Sequence, residues 1–273
     1  MPGVLSFHAH PDDESITMGG TLAELADRRV PITVVTATRG EAGEIHNRSD
    51  ADQVRHRLGE IREAEQRAAL EVLGVEDLRY LGYHDSGMMG TDQNNHGASF
   101  WNASLMEATG RLVKIVREVQ PEVLTAYDPF GGYGHPDHIQ VNRVGTAAFF
   151  GAADTGRFPR AEFGAPWTVG SLLWATWSRE RATGVRRAMR GEATDEVEDE
   201  APTGFPSVFL SVRRDVVAFL GRKRQALLCH DTQFSAESWI RALPDDQIVD
   251  FLGHEVFIRM WGDPAVADPL GAL

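Results

Sequence analysis

Two apolar rhythms alternate along the first half of the chain. Val4–Ala9, Ile32–Thr38 and Glu122–Tyr127 are compact, largely apolar runs, and Leu78–Tyr83 is another short one. Runs without polar alternation fit strands buried on both faces, as in a parallel sheet. Between them the apolar positions recur at helical spacing. Ile16, Leu22, Leu25 and Ala26 predict a helix over 15–29, and further helices are predicted over 53–73, 103–118 and 136–150. Gly74 stands where the helix over 53–73 should stop. Strand and helix thus alternate through residue 150, which predicts an α/β fold with a mainly parallel sheet.

After residue 150 the rhythm weakens. Pro166–Trp177, Ser207–Val212 and Val256–Met260 read as strands, and 179–190, 213–229 and 235–252 as helical. The acidic run from Glu192 to Glu200 reads as a solvated loop. The segment 84–102 has no periodicity and is rich in glycine and amides, and so long a loop tends to be functional. Its amides and Asp85 can hydrogen-bond hydroxyl groups, while Met88, Met89, Phe100 and Trp101 offer apolar surface. With no linker-like stretch, residues 1–273 read as a single domain: a core over 1–150 and a less regular part, 151–273, that completes the pocket.

Composition narrows the partners. A formal net charge of −13 argues against nucleic acid or an anionic membrane surface. One cysteine, Cys229, excludes a disulfide framework and a cysteine-rich zinc site. No apolar run approaches membrane-spanning length and no signal-peptide pattern precedes the first strand, so a cytoplasmic protein is expected.

The chemistry concentrates at two strand ends. After the first strand comes His8-Ala9-His10-Pro11-Asp12-Asp13-Glu14, and after the strand ending at Tyr127 comes Gly134-His135-Pro136-Asp137-His138. Successive acids repel one another unless a cation sits among them. His135 and His138, three apart at a helix start, share a face. Two or three imidazoles and a carboxylate form a donor set suited to zinc, and Asp12 beside Asp13 is a spare carboxylate that could move a proton. Each motif alone also reads as a capped helix start. The first loop lacks G-x-G-x-x-G, a Walker A loop is absent, and no G-x-S-x-G elbow occurs.

Together the two motifs resemble the signatures of the GlcNAc-phosphatidylinositol de-N-acetylase (PIG-L, LmbE-like) family, which includes a mycothiol-pathway deacetylase. The resemblance extends through Arg39–Ile45, Arg62–Glu65 and Asp85–Met88. It implies a Rossmann-like three-layer sandwich and a zinc-dependent hydrolase, with Fe2+ as the other candidate metal. The implied reaction removes an N-acyl group from a small GlcNAc-type amide through a metal-activated water. It also implies His10, Asp13 and His138 as metal ligands, Asp12 as general base, and His135 and Tyr133 as catalytic partners. Asp137 would stand behind the ligands, and Arg62, Asp85 and Glu44 would contact substrate. For Arg62 an ion pair with Glu65 or another acid is the structural alternative, and for Asp85 a loop cap. The family also contains amidases of mycothiol S-conjugates and deacetylases of natural-product glycosides. Two histidines and a carboxylate equally form the facial triad of Fe(II) oxygenases. A sugar-binding module that keeps the loops without catalysis is a third reading.

Overall fold

The computed structural model describes residues 2–180, 182, 204–242 and 244–273. Seven strands form one mixed sheet in the order β3-β2-β1-β4-β5-β7-β6. The strands β1 (Val4–His8), β2 (Ile32–Thr38), β3 (Asp77–Tyr83), β4 (Val123–Tyr127) and β5 (Ser171–Thr176) are parallel. The two remaining strands, β6 (Val212–Asp215) and β7 (His254–Trp261), add an antiparallel edge. β1 and β4 are buried at every position, Ser6, His8 and Thr125 included, as expected of largely apolar strands covered on both faces.

Helices cover both faces. Successive strand residues point to opposite sides, and β1 shows which helix lies where. Ser6 reaches Met18 of α1 (Asp13–Asp27), whereas Phe7 packs beside Gly145 of α5 (Pro136–Gly151). Between them in sequence lie α2 (Ala51–Val54), α3 (Leu58–Leu73) and α4 (Leu105–Val119). After the short α6 (Arg160–Phe163), α7 (Leu220–Cys229) packs on α1 and α3. Burying each large apolar side chain in this core contributes ~1.5–3 kcal/mol.

The topology sets the site. β2 lies on one side of β1 and β4 on the other, so the chain reverses its winding between these two strands. Open α/β sheets take ligands at such a switch point, beyond the carboxyl ends of the strands. Both motifs leave their strands there.

The differences from the expected elements have local causes. The first helix begins at Asp13, two residues early. The helix expected over 53–73 is broken by a tight turn at Arg55–Arg57, because inward anchoring starts only at Leu58. Gly74 does end it, with a left-handed φ of 81°. The strand expected over Ser207–Val212 is instead a short turn, Ser207–Phe209, followed by β6, whose register is dictated by pairing of Val212 with Phe257. That pairing also delays the helix expected from 213, which becomes α7. Most of the helix expected over 179–190, and the acidic run 192–200, lie outside the described residues. No helix among the described residues is long and apolar enough to cross a membrane.

Candidate active site

The stiff turn after β1 and the glycine-rich loop after β4 bring the two motifs face to face. His10 Nδ1 and His138 Nε2 stand 3.3 Å apart. Asp13 completes a triangle, with its oxygens 3.6 Å from His10 Nδ1 and 3.4 Å from His138 Nε2. Tetrahedral ligands at ordinary zinc bond lengths lie about 3.3 Å from one another, so this donor set fits one small divalent ion.

Hydrogen bonds fix which atom of each imidazole faces inward. His138 Nδ1 lies 3.2 Å from the carbonyl of Gly131, leaving Nε2 for the centre. That contact needs glycine: a Cβ at position 131 would stand 2.3 Å from His138 Cβ, and its φ is 59°. The other nitrogen of His10, Nε2, lies 3.1 Å from Asp137 and 3.5 Å from Asp85. Carboxylates behind a ligating imidazole commonly set its tautomer and raise its basicity. Asp137 is held in turn by the backbone N–H and the hydroxyl of Ser86. Asp85 accepts from the N–H groups of Gly87 and Ala42. Both carboxylates, which with His10 also form a group of metal-ligating type, are thus held by protein donors. Burial opposes a charge on His10, but Asp85, with Asp13 and Asp137, pushes its pKa well above the ordinary value. The spot favours positive charge.

Asp12 takes the conformation least expected of an aspartate. Its φ is 117° and ψ −32°, a region that L-residues rarely occupy. Its carboxylate makes no helix-cap bond, although Asp12 is the residue preceding α1. It lines the cavity and meets Arg62 at 3.1 Å. Burial raises its pKa to about 6, with Arg62 opposing and the neighbouring charge of Asp13 adding to the rise. Arg62 is buried and donates also to the carbonyls of Gly40 and Pro11. Its acidic partner is thus Asp12, and Glu65 instead accepts from Thr232.

His135 precedes α5 and accepts the N–H of Asp137 on Nδ1, which turns its protonated Nε2 away from the helix. It brings a nitrogen within 4.8 Å of those of His10 and His138, and burial first, then these two neighbours, lowers its pKa to about 2. Tyr133 stands edge-on to His138, ring centres 4.9 Å apart, at the exposed mouth. Glu44 lies at the rim, its exposed carboxylate paired with His46. These groups border one cavity of about 430 Å³.

The loop 84–102 contributes Gly87, Met88, Thr91 and Gln93 to the wall. Its aromatic residues turn away: Phe100 is buried against Phe7 and Tyr83, and Trp101 packs under Arg143. The sequence reading also missed contributors from the last third. Trp177 and Gln233 line the cavity, and neither belongs to a motif with recognisable spacing. Tyr127, the last residue of β4, lines it too and bonds His8 through its hydroxyl at 2.8 Å.

The family described as PIG-L, GlcNAc-PI de-N-acetylase, matches residues 5–149. A 1D-myo-inositol 2-acetamido-2-deoxy-alpha-D-glucopyranoside deacetylase of Catenulispora acidiphila is 39% identical over 271 residues, covering 93% of this chain and 82% of that protein. A protein of the same description from Thermobifida fusca is 40% identical, covering 98% and 96%. The solved structure of N,N'-diacetylchitobiose deacetylase from Pyrococcus horikoshii superposes with a TM-score of 0.67 at 23% identity, over 95% of this chain and 84% of that one, and so shares the fold. With both motifs inside the matched region and similarity running nearly end to end, the chain belongs to the PIG-L family of GlcNAc-PI de-N-acetylases.

Proposed function

We propose that this protein is a zinc-dependent N-deacetylase of the N-acetylglucosaminide of inositol, the compound for which its relatives are named. The observation that carries the reading is the triangle of His10, Asp13 and His138, edged by a strained aspartate and opening on a cavity of about 430 Å³. Cavities of ~300–1,000 Å³ suit small molecules, and this one is lined both by hydroxyl-binding groups such as Thr91, Gln93 and Gln233 and by the rings of Tyr133 and Trp177. The reading treats residues 1–273 as one deacetylase domain, since Trp177 and Gln233 close a pocket whose chemistry lies before residue 150.

Held by these three residues, zinc would supply a Lewis acid beside the scissile amide. The chain's own groups handle the protons and the developing charge. Asp12, with a carboxyl near neutrality and a lone pair toward the cavity, takes the proton of the attacking water. The protonated Nε2 of His135 and the hydroxyl of Tyr133, which line the cavity, are the donors assigned to the oxyanion of the tetrahedral intermediate. The proton on Asp12 then passes to the leaving amine. Arg62 orients Asp12, while Asp85 and Asp137 orient His10.

The test is release of acetate and a primary amine from that glucosaminide by the zinc-loaded protein, with loss of release on chelation and return on adding zinc. No acetate from it, nor from a panel of other N-acyl glucosaminides, would overturn the reading. Recovery with Fe2+ but not with zinc would reassign the metal.

A further inference from the structure

Glu14 plays no part in the reaction above, yet its surroundings tie the last third of the chain to the catalytic turn. The side chain is wholly buried. Oε2 accepts from Gln66 at 2.8 Å and from the backbone N–H of Asp12 at 3.3 Å. Oε1 accepts from the Ser15 hydroxyl at 2.8 Å and lies 3.2 Å from His230 Nε2.

His230 follows the last turn of α7 and is itself fully buried. Among the described residues its Nδ1 has no hydrogen-bond partner. A buried ring nitrogen left unpaired is unfavourable, and an apolar side chain would fill this space without that penalty. What the imidazole adds is the donor at Nε2. The turn it reaches is the strained one: Asp12 holds φ 117°, and such a conformation persists only where its surroundings over-determine it. Arg62 grips that turn from α3, through the Pro11 carbonyl and the Asp12 carboxylate. Glu14, backed by His230, grips it from the other side, through the Asp12 N–H.

We propose that His230 is a positioning residue, which through its bond to Glu14 fixes the turn that aims Asp12 at the reacting amide. The proposal rests on the reading of Asp12 as the proton acceptor. The experiment measures kcat, KM and bound zinc with the inositol glucosaminide for His230→Leu, His230→Gln, Asp12→Asn and the double variant Asp12→Asn/His230→Leu. Loss of the donor in His230→Leu should lower kcat roughly 10–100-fold, the range for removing a supporting group around such a site, with KM and zinc content kept. His230→Gln, which retains an N–H donor, should restore most of the rate. The double variant should be no slower than Asp12→Asn, within about twofold, because the two residues act as one unit. Glu14→Gln keeps the side-chain volume and carries the same test if His230→Leu does not fold. Losses that multiply in the double variant, or a His230→Gln as impaired as His230→Leu, would overturn the proposal alone. Wild-type turnover by Asp12→Asn would instead remove the reading on which it rests, and the proposal with it.

Discussion

The cavity has two kinds of wall, supplied from opposite parts of the chain. The loops after β1 and β4 meet at the centre of the sheet and carry buried charge on a strained backbone, with Asp12 at φ 117° and three glycines of left-handed φ between Gly131 and Gly134. The segment 230–233 arrives from the end of α7 with ordinary backbone and holds its place by hydrogen bonds. Thr232 donates to Glu65 and accepts from the N–H of His46, and Gln233 donates to the carbonyl of Glu44. The first wall is costly to build and hard to alter, as expected where ligand atoms must be held within tenths of an ångström. The second is a set of replaceable contacts on the rim. On the proposed reading, the reaction belongs to the first wall, and the second is a candidate for substrate choice.

The sharpest break between the walls is the metal. Asp13→Ala, His10→Ala or His138→Ala should each abolish zinc retention and lower turnover by ~10³-fold or more, since catalytic zinc needs all three protein ligands. Elemental analysis of the purified variants beside their acetate-release rates checks this. His135→Ala should keep the ion, because its Nδ1 is committed to the N–H of Asp137. Zinc lost from His135→Ala but kept in Asp13→Ala would move the centre onto the three histidines.

Asp12→Asn comes next. It should leave zinc bound and lower kcat by ~10²–10⁴-fold, the range for a lost general base. Arg62 offers a finer probe of the same residue. Its charge lowers the Asp12 pKa, so Arg62→Gln should move the acidic limb of kcat/KM to higher pH. A limb that stays put, or moves down, would mean that another group sets it. Behind the ligands, Asp137→Asn should weaken zinc affinity by ~10–100-fold, the usual effect of altering a carboxylate behind a ligating imidazole. Chelator competition measures that loss.

The same division explains what the sequence could show. The chemical wall is written in contiguous motifs, because a turn at a strand end places neighbours in sequence around one point. His10, Asp13, His135 and His138 could therefore be named before any coordinates, and the strand–helix alternation up to residue 150 located them. The strain at Asp12 was illegible, since nothing in His-Pro-Asp-Asp-Glu announces a positive φ. The last third failed for another reason. The four residues of β6 take their register from β7, and no local pattern fixes a strand so dependent on its partner. His230 meets Glu14 across 216 positions, and Gln233 reaches the cavity as one side chain among ordinary loop residues. Phe100 shows the converse error: an aromatic in a loop that flanks the site is still core when its backbone is pinned to the strand end at His84.

The smallest effect tests the rim most directly. Gln233 lines the cavity together with Thr91 and Gln93, and its own amide nitrogen is committed to Glu44 and Thr232, so its carbonyl oxygen is the group left for a substrate hydroxyl. That oxygen also lies close to Gly43, where a Cβ would approach it at 2.9 Å, so glycine there keeps the oxygen accessible. A neutral hydrogen bond of this kind contributes about 1 kcal/mol. Gln233→Ala should accordingly raise KM for the inositol glucosaminide about fivefold, while kcat and zinc content stay at their wild-type values. If this wall governs substrate choice, the loss should shrink for an N-acetylglucosaminide that lacks the inositol hydroxyls. A fall in kcat instead, with KM unchanged, would place Gln233 with the strained loops and erase the distinction between the two walls.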